Sequence, residues 1–465
     1  MLLDLSTELL EEIGNELTHK DHGNLRAACR GLNEAMQRLF FSLLTLKTNP
    51  NLGSLEGREL FEALAGRQTG WTTYAKTLCI DATGENQAGT SATSGEEIPA
   101  IVDELVLQSR LANALSSVPK LRTVVWKLHE RESAKWETET ICGFLNALAD
   151  LDTLELDVRS FADLSLLKVE PGVRALTAKV SWRSWRGRRG WNSVSADSLP
   201  MYQEITRLAV ENRLTVLHLE GPGKEMSEVW TALRFKSQTQ LKEITTNVVT
   251  PEFFAYLNSY TGVQKLTLVG PDGGNREKSD RLASQFWDVL PRHAATLSEL
   301  TCPASYESRF SFASHNDHVI SLLTQLTSLK MSVNAGKTKP LERRTERKFI
   351  TVGIPMEADQ SDIDPVVALL LQTAASLPHL KIVEIVSAET ESNRGAWCGN
   401  GRRHHKGAVT RAIVRSISSF RSDIPSAAIV QAGNNTYALE AWEKMEEESA
   451  GDFQGKLRYR SIGRG

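Results

Sequence analysis

Leu151-Asp152-Thr153-Leu154-Glu155-Leu156 carries the figure that decides the fold: apolar, two residues, apolar, one residue, apolar. The same spacing returns as Leu214-x-x-Leu217-x-Leu219, Val263-x-x-Leu266-x-Leu268, Leu297-x-x-Leu300-x-Cys302 and Leu326-x-x-Leu329-x-Met331. Looser copies are Phe41/Leu44/Leu46, Ala75/Leu78/Ile80, Leu121/Val124/Trp126, Val173/Leu176/Ala178, Leu241/Ile244/Thr246 and Leu380/Val383/Ile385. Side chains alternate between the two faces of an extended chain, so the last two apolar residues of each copy share one face of a short strand. Stretches with helical spacing lie between copies, such as Ile141-Phe144-Leu145-Leu148 and Phe253-Phe254-Leu257. Successive copies start 22 to 54 residues apart, several of them 22 to 34.

A short strand followed by a helix, repeated at this period, resembles the leucine-rich-repeat family. The resemblance implies an α/β solenoid of parallel strands and helices, horseshoe-like in shape. The Asn (or Cys) that the family places three residues after the last apolar position occurs only as Asn49 and Asn334. Elsewhere the slot holds Thr83, His129, Arg159, Ser181, Pro222, Val249, Pro271, Ser305 or Ala388. Irregular, unequal repeats are therefore expected, with turn backbone satisfied by other groups. The competing architecture is a non-solenoid α/β domain of repeated strand–helix units.

Four insertions are expected to break the period, near residues 84–97, 181–200, 337–365 and 390–408. The first runs from Gly84-Glu85-Asn86 to Gly95-Glu96-Glu97 and is rich in Gly, Ser and Thr. With these, the chain divides into an N-terminal helical module at 1–46, a repeat array at 47–440 and a partly ordered tail at 441–465. A length of 465 residues exceeds one compact core. The balance of 54 Lys+Arg against 57 Asp+Glu leaves a net charge of -3, which offers no general attraction to nucleic acid or an anionic membrane. No apolar run approaches the roughly 18 residues that span a bilayer. Cys29, Cys79, Cys142, Cys302 and Cys398 are far apart and form no C-x-x-C pair, so they read as reduced thiols of a cytoplasmic or nuclear protein.

Residues 1–41 read as three short amphipathic helices. Ser6 caps the first, in which Leu9, Leu10, Ile13 and Leu17 form one stripe. Asp21 is the expected cap of the second, and Gly31 the expected break before the third, where Leu32, Met36, Leu39 and Phe40 recur. Three such helices enclose little core, so their apolar surface must meet the following domain or a partner. The run Leu5-Ser6-Thr7-Glu8-Leu9-Leu10-Glu11-Glu12-Ile13, then Leu17, Asp21, Leu25, Arg26 and Cys29-Arg30, resembles the F-box family, as in fungal F-box proteins. Ser6 stands where that family usually has Pro, and Gly31-Leu32-Asn33 replaces a common aromatic.

The resemblance implies a substrate receptor of a Skp–cullin–F-box ubiquitin ligase. Its N-terminal helices would bind a Skp-type adaptor, and through it a cullin–RING ligase, while the repeats bind an unidentified protein substrate. Adaptor contact would use Leu5, Leu9, Leu10, Ile13, Leu17, Leu25, Cys29 and Leu32. Strand alternation puts Glu155, Asp157, His218, Glu220, Glu243, Lys265, Glu299, Lys330 and Glu384 on the face away from the apolar core. Acidic residues outnumber basic ones in that set, which favours a basic partner. The alternative is a repeat-built protein-binding scaffold independent of any ligase, with the N-terminal helices as a cap.

Other clusters weigh less. Ser181 to Trp191 interleaves Trp with Arg, a nucleic-acid pattern disfavoured on so neutral a chain. Lys337 to Lys348 reads as a solvated basic stretch, and Gly401-Arg402-Arg403-His404-His405-Lys406 as a loop without a metal. No nucleophile elbow, phosphate loop or dinucleotide fingerprint is present, and His129-Glu130 lacks its second His because Ser133 stands there. A non-catalytic chain without cofactor or metal is expected.

Overall fold

The computed structural model describes residues 5–48, 55–81, 104–128, 135–159, 164–169, 172–180, 199–236, 239–334, 338–340, 356–394, 400–441 and 457–464. By internal contacts the chain divides into residues 1–221 and 222–465.

The first unit begins with helices α1 (Thr7–Asn15), α2 (His19–Ala28) and α3 (Arg30–Phe40), which lead into strand β1 (Leu43–Lys47). Helices α4 (Leu55–Ala65) and α5 (Trp71–Tyr74) precede β2 (Thr77–Asp81). Then come α6 (Glu104–Ser116), β3 (Thr123–Leu128), α7 (Lys135–Asn146), β4 (Thr153–Val158), β5 (Ala175–Val180), α8 (Leu199–Glu211) and β6 (Val216–Glu220). The six strands pair in chain order and all are parallel. One in-register row, Leu46, Ile80, Trp126, Leu156, Ala178 and Leu219, is sealed from solvent. Bulky Trp126 and small Ala178 flank Leu156 in that row, so volume is balanced along the core.

The second unit holds α9 (Gly223–Lys236), β7 (Glu243–Thr246), α10 (Pro251–Leu257), β8 (Lys265–Leu268), α11 (Arg276–Val289), β9 (Glu299–Cys302), α12 (Asp317–Ser321) and β10 (Ser328–Val333). A hairpin of β11 (Thr338–Pro340) and β12 (Met356–Ala358) follows, then α13 (Gln360–Ser376), β13 (Ile382–Ser387) and α14 (Asn400–Ser419). The chain ends with β14 (Arg421–Ser422), β15 (Ile429–Ala432), β16 (Asn435–Ala441) and β17 (Leu457–Arg464). Strands β7, β8, β9, β10, β13 and β15 are parallel neighbours, and β16, β17 and β14 close the sheet antiparallel.

All eleven copies of the apolar figure fall on parallel strands, β1 to β10 and β13. Each unit is thus a stack of parallel strands with intervening helices, an α/β solenoid in class. Main-chain groups satisfy one another where the chain enters each strand. In the first unit the Ser42 carbonyl accepts the N–H groups of Lys76 and Thr77, Lys76 those of Arg122 and Thr123, and the relay continues through Arg122, Asp152 and Arg174. In the second, Lys242, Gln264, Ser298 and Thr327 repeat it. A carbonyl with two lone pairs satisfies both donors, so this ladder needs no particular side chain. Buried side chains finish the turns: Asn212 accepts from the Val173 N–H at 3.2 Å, and the Tyr260 hydroxyl donates to the Leu241 carbonyl at 2.9 Å.

Several boundaries differ from the expectations. The insertion expected at 337–365 contains the β11–β12 hairpin and the start of α13, which Asp359 caps by accepting from Ser361 N–H. That expected at 390–408 overlaps the first nine residues of α14; its apolar stripe, Ala408, Val409, Ala412, Ile413 and Ile417, only begins at the end of the polar run. Residues 84–97 and 181–198 lie outside the described residues, and 199–200 already belong to α8. The tail contributes β17, whose Tyr459 is buried while Arg458 and Arg460 alternate with it.

Glu137, in the first turn of α7, is only 5% exposed, and its Oε1 has no hydrogen-bond partner among the described residues. Burial drives its carboxyl up from the ordinary 4.5 to about 7, with the Thr48 hydroxyl opposing. The folded state therefore holds this proton more tightly than the unfolded chain. Its stabilising contribution is complete below about pH 4.5 and is lost as the pH rises through 7. Glu137→Gln is expected to remove that slope and to add up to about 3 kcal/mol at pH 8. An unchanged urea midpoint at pH 8 would contradict this.

Candidate functional site

The N-terminal helices form locally for identifiable reasons. Ser6 caps α1 by accepting from the Leu9 N–H at 3.4 Å, and the Glu8 backbone N–H, with the Ser6 hydroxyl second, holds the Glu8 carboxyl below its ordinary value. Helix α2 is capped by Thr18, not by Asp21: Asp21 sits at the third helical position and reaches back to the Thr18 N–H at 3.1 Å, completing a capping box. The break before α3 is at Cys29, whose extended backbone (φ -163, ψ 165) separates the helices, while Gly31 lies within the first turn of α3. Sequence spacing could not choose between a Thr–Asp pair and a lone Asp as cap, nor see which residue leaves helical geometry.

Leu10, Leu32, Ala35 and Met36 form a small core, joined by partly buried Leu25, Cys29 and Leu39. Gly14 lets α1 close on α3, because a Cβ there would stand 2.4 Å from Leu39 Cδ1. The eight residues proposed for adaptor contact therefore separate. Leu10 and Leu32 are internal, and Leu17, Leu25 and Cys29 are half-buried. Leu5, Leu9 and Ile13, at i, i+4 and i+8, are 36%, 47% and 45% exposed on one stripe of the first helix and its lead-in.

An aromatic joint fixes these helices to the first strand. The Arg26 guanidinium lies 4.2 Å from the Phe40 ring centre and 4.3 Å from that of Phe41, and its Nε donates to Asn33 Oδ1 at 2.9 Å. His19 stacks on Phe40 at 4.6 Å, and Phe41 meets Trp71 edge-on at 4.9 Å. Trp71 Nε1 donates to the Leu43 carbonyl at 3.0 Å, so the joint reaches the start of β1. Asn33, part of the departure from the family pattern, thus orients Arg26.

On the strand face away from the core, the nine candidate residues fall into in-register rows. In the first unit Glu155 lies beside Thr177 and Val125, and Thr177 is followed by His218. The adjacent row runs Lys47, Asp81, Lys127, Asp157, Lys179, Glu220, alternating in sign throughout. Lys127 stands 3.5 Å from Asp81, and Lys179 is 4.0 Å from Glu220, which also bonds His218. In the second unit Glu243, Lys265 and Glu299 share a row, with Lys265 and Glu299 paired at 3.3 Å. Lys330 and Glu384 are paired at 2.8 Å. Lys47, Lys127 and Lys179, which spacing alone did not single out, alternate with the carboxylates of this row and reduce the acidic excess read from the sequence.

The remaining clusters sort as follows. Ser181 to Trp191, His129-Glu130 and most of Lys337 to Lys348 lie outside the described residues. Residues 401–406 are helical rather than a loop; His405 is buried, with Nδ1 3.9 Å from Glu389 Oε2. Among the described residues no group of three or more His, Cys, Asp or Glu is placed to hold a metal, and no helix is long and apolar enough to cross a membrane.

No protein-family model matches the chain, and no curated protein matches it. Among solved structures it is similar to a chain from the crystal structure of the Rad7 and Elc1 complex in yeast, with 12% identity, a TM-score of 0.38, and coverage of 82% of this chain and 86% of that one. It is also similar to a chain of the TLR13–ssRNA13 complex, with 13% identity, a TM-score of 0.25, and coverage of 68% and 30%. The fold assignment rests on the strand ladders described above.

Proposed function

We propose that this chain is the substrate-recognition subunit of a Skp–cullin–F-box ubiquitin ligase. The observation that carries the reading is the outward stripe of Leu5, Leu9 and Ile13 on a helical module whose other apolar residues are largely engaged. Exposed apolar residues at helical spacing, beside a packed core, are what a partner helix or groove would cover. The resemblance to the F-box pattern names that partner as a Skp-type adaptor.

In this role the chain makes and breaks no bonds. The adaptor links it to a cullin–RING ligase, the repeats hold a protein substrate, and the aromatic joint at Phe40, Phe41 and Trp71 keeps the two functions in fixed register. The contribution is proximity, a substrate lysine held at high effective concentration near the ubiquitin thioester. Glu220, Glu299 and Glu384 are already paired with in-register lysines, so a substrate engaging them must displace or share those lysines. Charge reversal at Glu220 and Glu299 is therefore expected to change substrate binding by less than about tenfold per site, as for exposed ion pairs.

The test is co-expression with a Skp-type adaptor followed by purification on a tag carried by the adaptor. A stoichiometric complex is expected. Its absence, with both proteins folded, would favour the scaffold reading, in which the helices only cap the array.

A further inference from the structure

In the second unit, one face of α14, the β15–β16 turn and Glu357 of β12 enclose a groove of about 810 Å³, within the range of ligand-sized clefts (roughly 300–1,000 Å³). Among the described residues its cations are Lys406, Arg411 and Arg415, all exposed, and its only lining carboxylate is Glu357. We infer that this groove binds an acidic, extended peptide segment of a protein partner.

Charge is the first reason. The net charge of the whole chain is -3, yet the sequence of α14 holds five Lys or Arg and no Asp or Glu. Such a local reversal raises the positive potential of this face. Lys406 has no ion-pair partner among the described residues, while Arg415 Nη1 is bonded to Glu357 Oε1 at 3.0 Å. Closure is the second. Gly433 has φ 61, and a Cβ there would stand 2.9 Å from Thr410 Cγ2, so the turn is seated directly against the helix.

Spacing is the third. Lys406 and Arg415 are nine residues apart, a rise of about 13.5 Å and half a turn around the helix, so they flank the groove's helical face with Arg411 between them. Alternate side chains of an extended segment repeat every ~6.7 Å, so carboxylates at i, i+2 and i+4 span about 13 Å, comparable to that rise, for a segment crossing the face obliquely. Nucleic acid fits less well. Among the described residues the lining holds no aromatic ring on which a base could stack, and Glu357 would repel a phosphodiester backbone. Glu357 would compete with the ligand for Arg415, which sets a built-in limit on affinity. The groove shares no residue with the N-terminal helices.

The test uses the full chain and fluorescence anisotropy at low salt. The probes are a dye-labelled peptide of alternating Glu and Gly with three carboxylates, its Gln counterpart, and a short oligo-dT of equal dye content. Saturable binding of the Glu peptide alone is expected. Lys406→Glu with Arg411→Glu should weaken it about tenfold, as should the milder Lys406→Gln with Arg411→Gln to a smaller degree. Glu357→Gln should tighten it about threefold by releasing Arg415, an effect that a merely structural role would not produce. Lys120→Glu with Lys236→Glu, outside the groove, should leave it unchanged. Equal binding of the Gln peptide, tighter binding of oligo-dT, or indifference to the groove variants would overturn the proposal. Adaptor capture plays no part in this readout, so its failure and that of the ligase reading are distinguishable.

Discussion

Leu9→Asp combined with Ile13→Asp is expected to abolish capture of a Skp-type adaptor while leaving helical content and the urea midpoint essentially unchanged. Both side chains are nearly half exposed in the free chain, so an exposed carboxylate costs the fold little. In a complex the same positions would be desolvated. Covering the exposed half of each side chain is worth roughly 1 kcal/mol, and each introduced charge adds a desolvation cost larger than that. Together these exceed a hundredfold in affinity. Leu10→Asp is the informative contrast, because Leu10 lies in the small core with Leu32, Ala35 and Met36, and its loss should unfold the helices themselves. Undiminished capture by the Leu9/Ile13 variant, with the fold intact, would show that docking uses another surface.

Trp126→Ala should produce the largest single loss of stability in the first unit, about 3–5 kcal/mol. Trp126 is 1% exposed and sits between Ile80 and Leu156, each fully buried, in a ladder with no slack. Ala leaves a void that in-register parallel strands cannot collapse around without breaking the main-chain relay through Lys76, Arg122 and Asp152. A urea midpoint lowered by more than about 1 M is the expected readout. A shift under half that size would mean that the row repacks.

Much of this architecture was legible in advance, and the residues show why. The apolar figure survives because a strand needs only alternate burial, and Leu, Val, Ile, Trp, Cys, Met, Ala and Thr all serve as its inward residues. Strand β15 carries the figure only weakly, as Ala427-x-x-Val430-x-Ala432, where two of the three apolar positions are small alanines that do not stand out from a loop. Strand β17 lies in a stretch whose charge resembles that of a mobile tail, although Leu457, Tyr459 and Ser461 alternate with arginines at the period of a strand. Helix α14 was hidden by Gly401, Gly407 and its polar first half. The basic groove was invisible for another reason: Glu357 and Gly433 are far from Lys406 along the chain, and only packing brings them together.

By itself the sequence determined the repeat, the parallel strand class, the three N-terminal helices and the set of apolar residues available for docking. These follow from local periodicity, which each segment carries within a few turns or strand lengths. Only the tertiary structure decided which of those residues stay outside. Leu9 and Leu10 are chemically identical neighbours, yet α3 covers one and leaves the other in water. It likewise decided that Asp81, Glu220, Glu299 and Glu384 meet lysines of the neighbouring strand. Burial and pairing are properties of what lies across a contact, and neighbours in space are not neighbours in the chain.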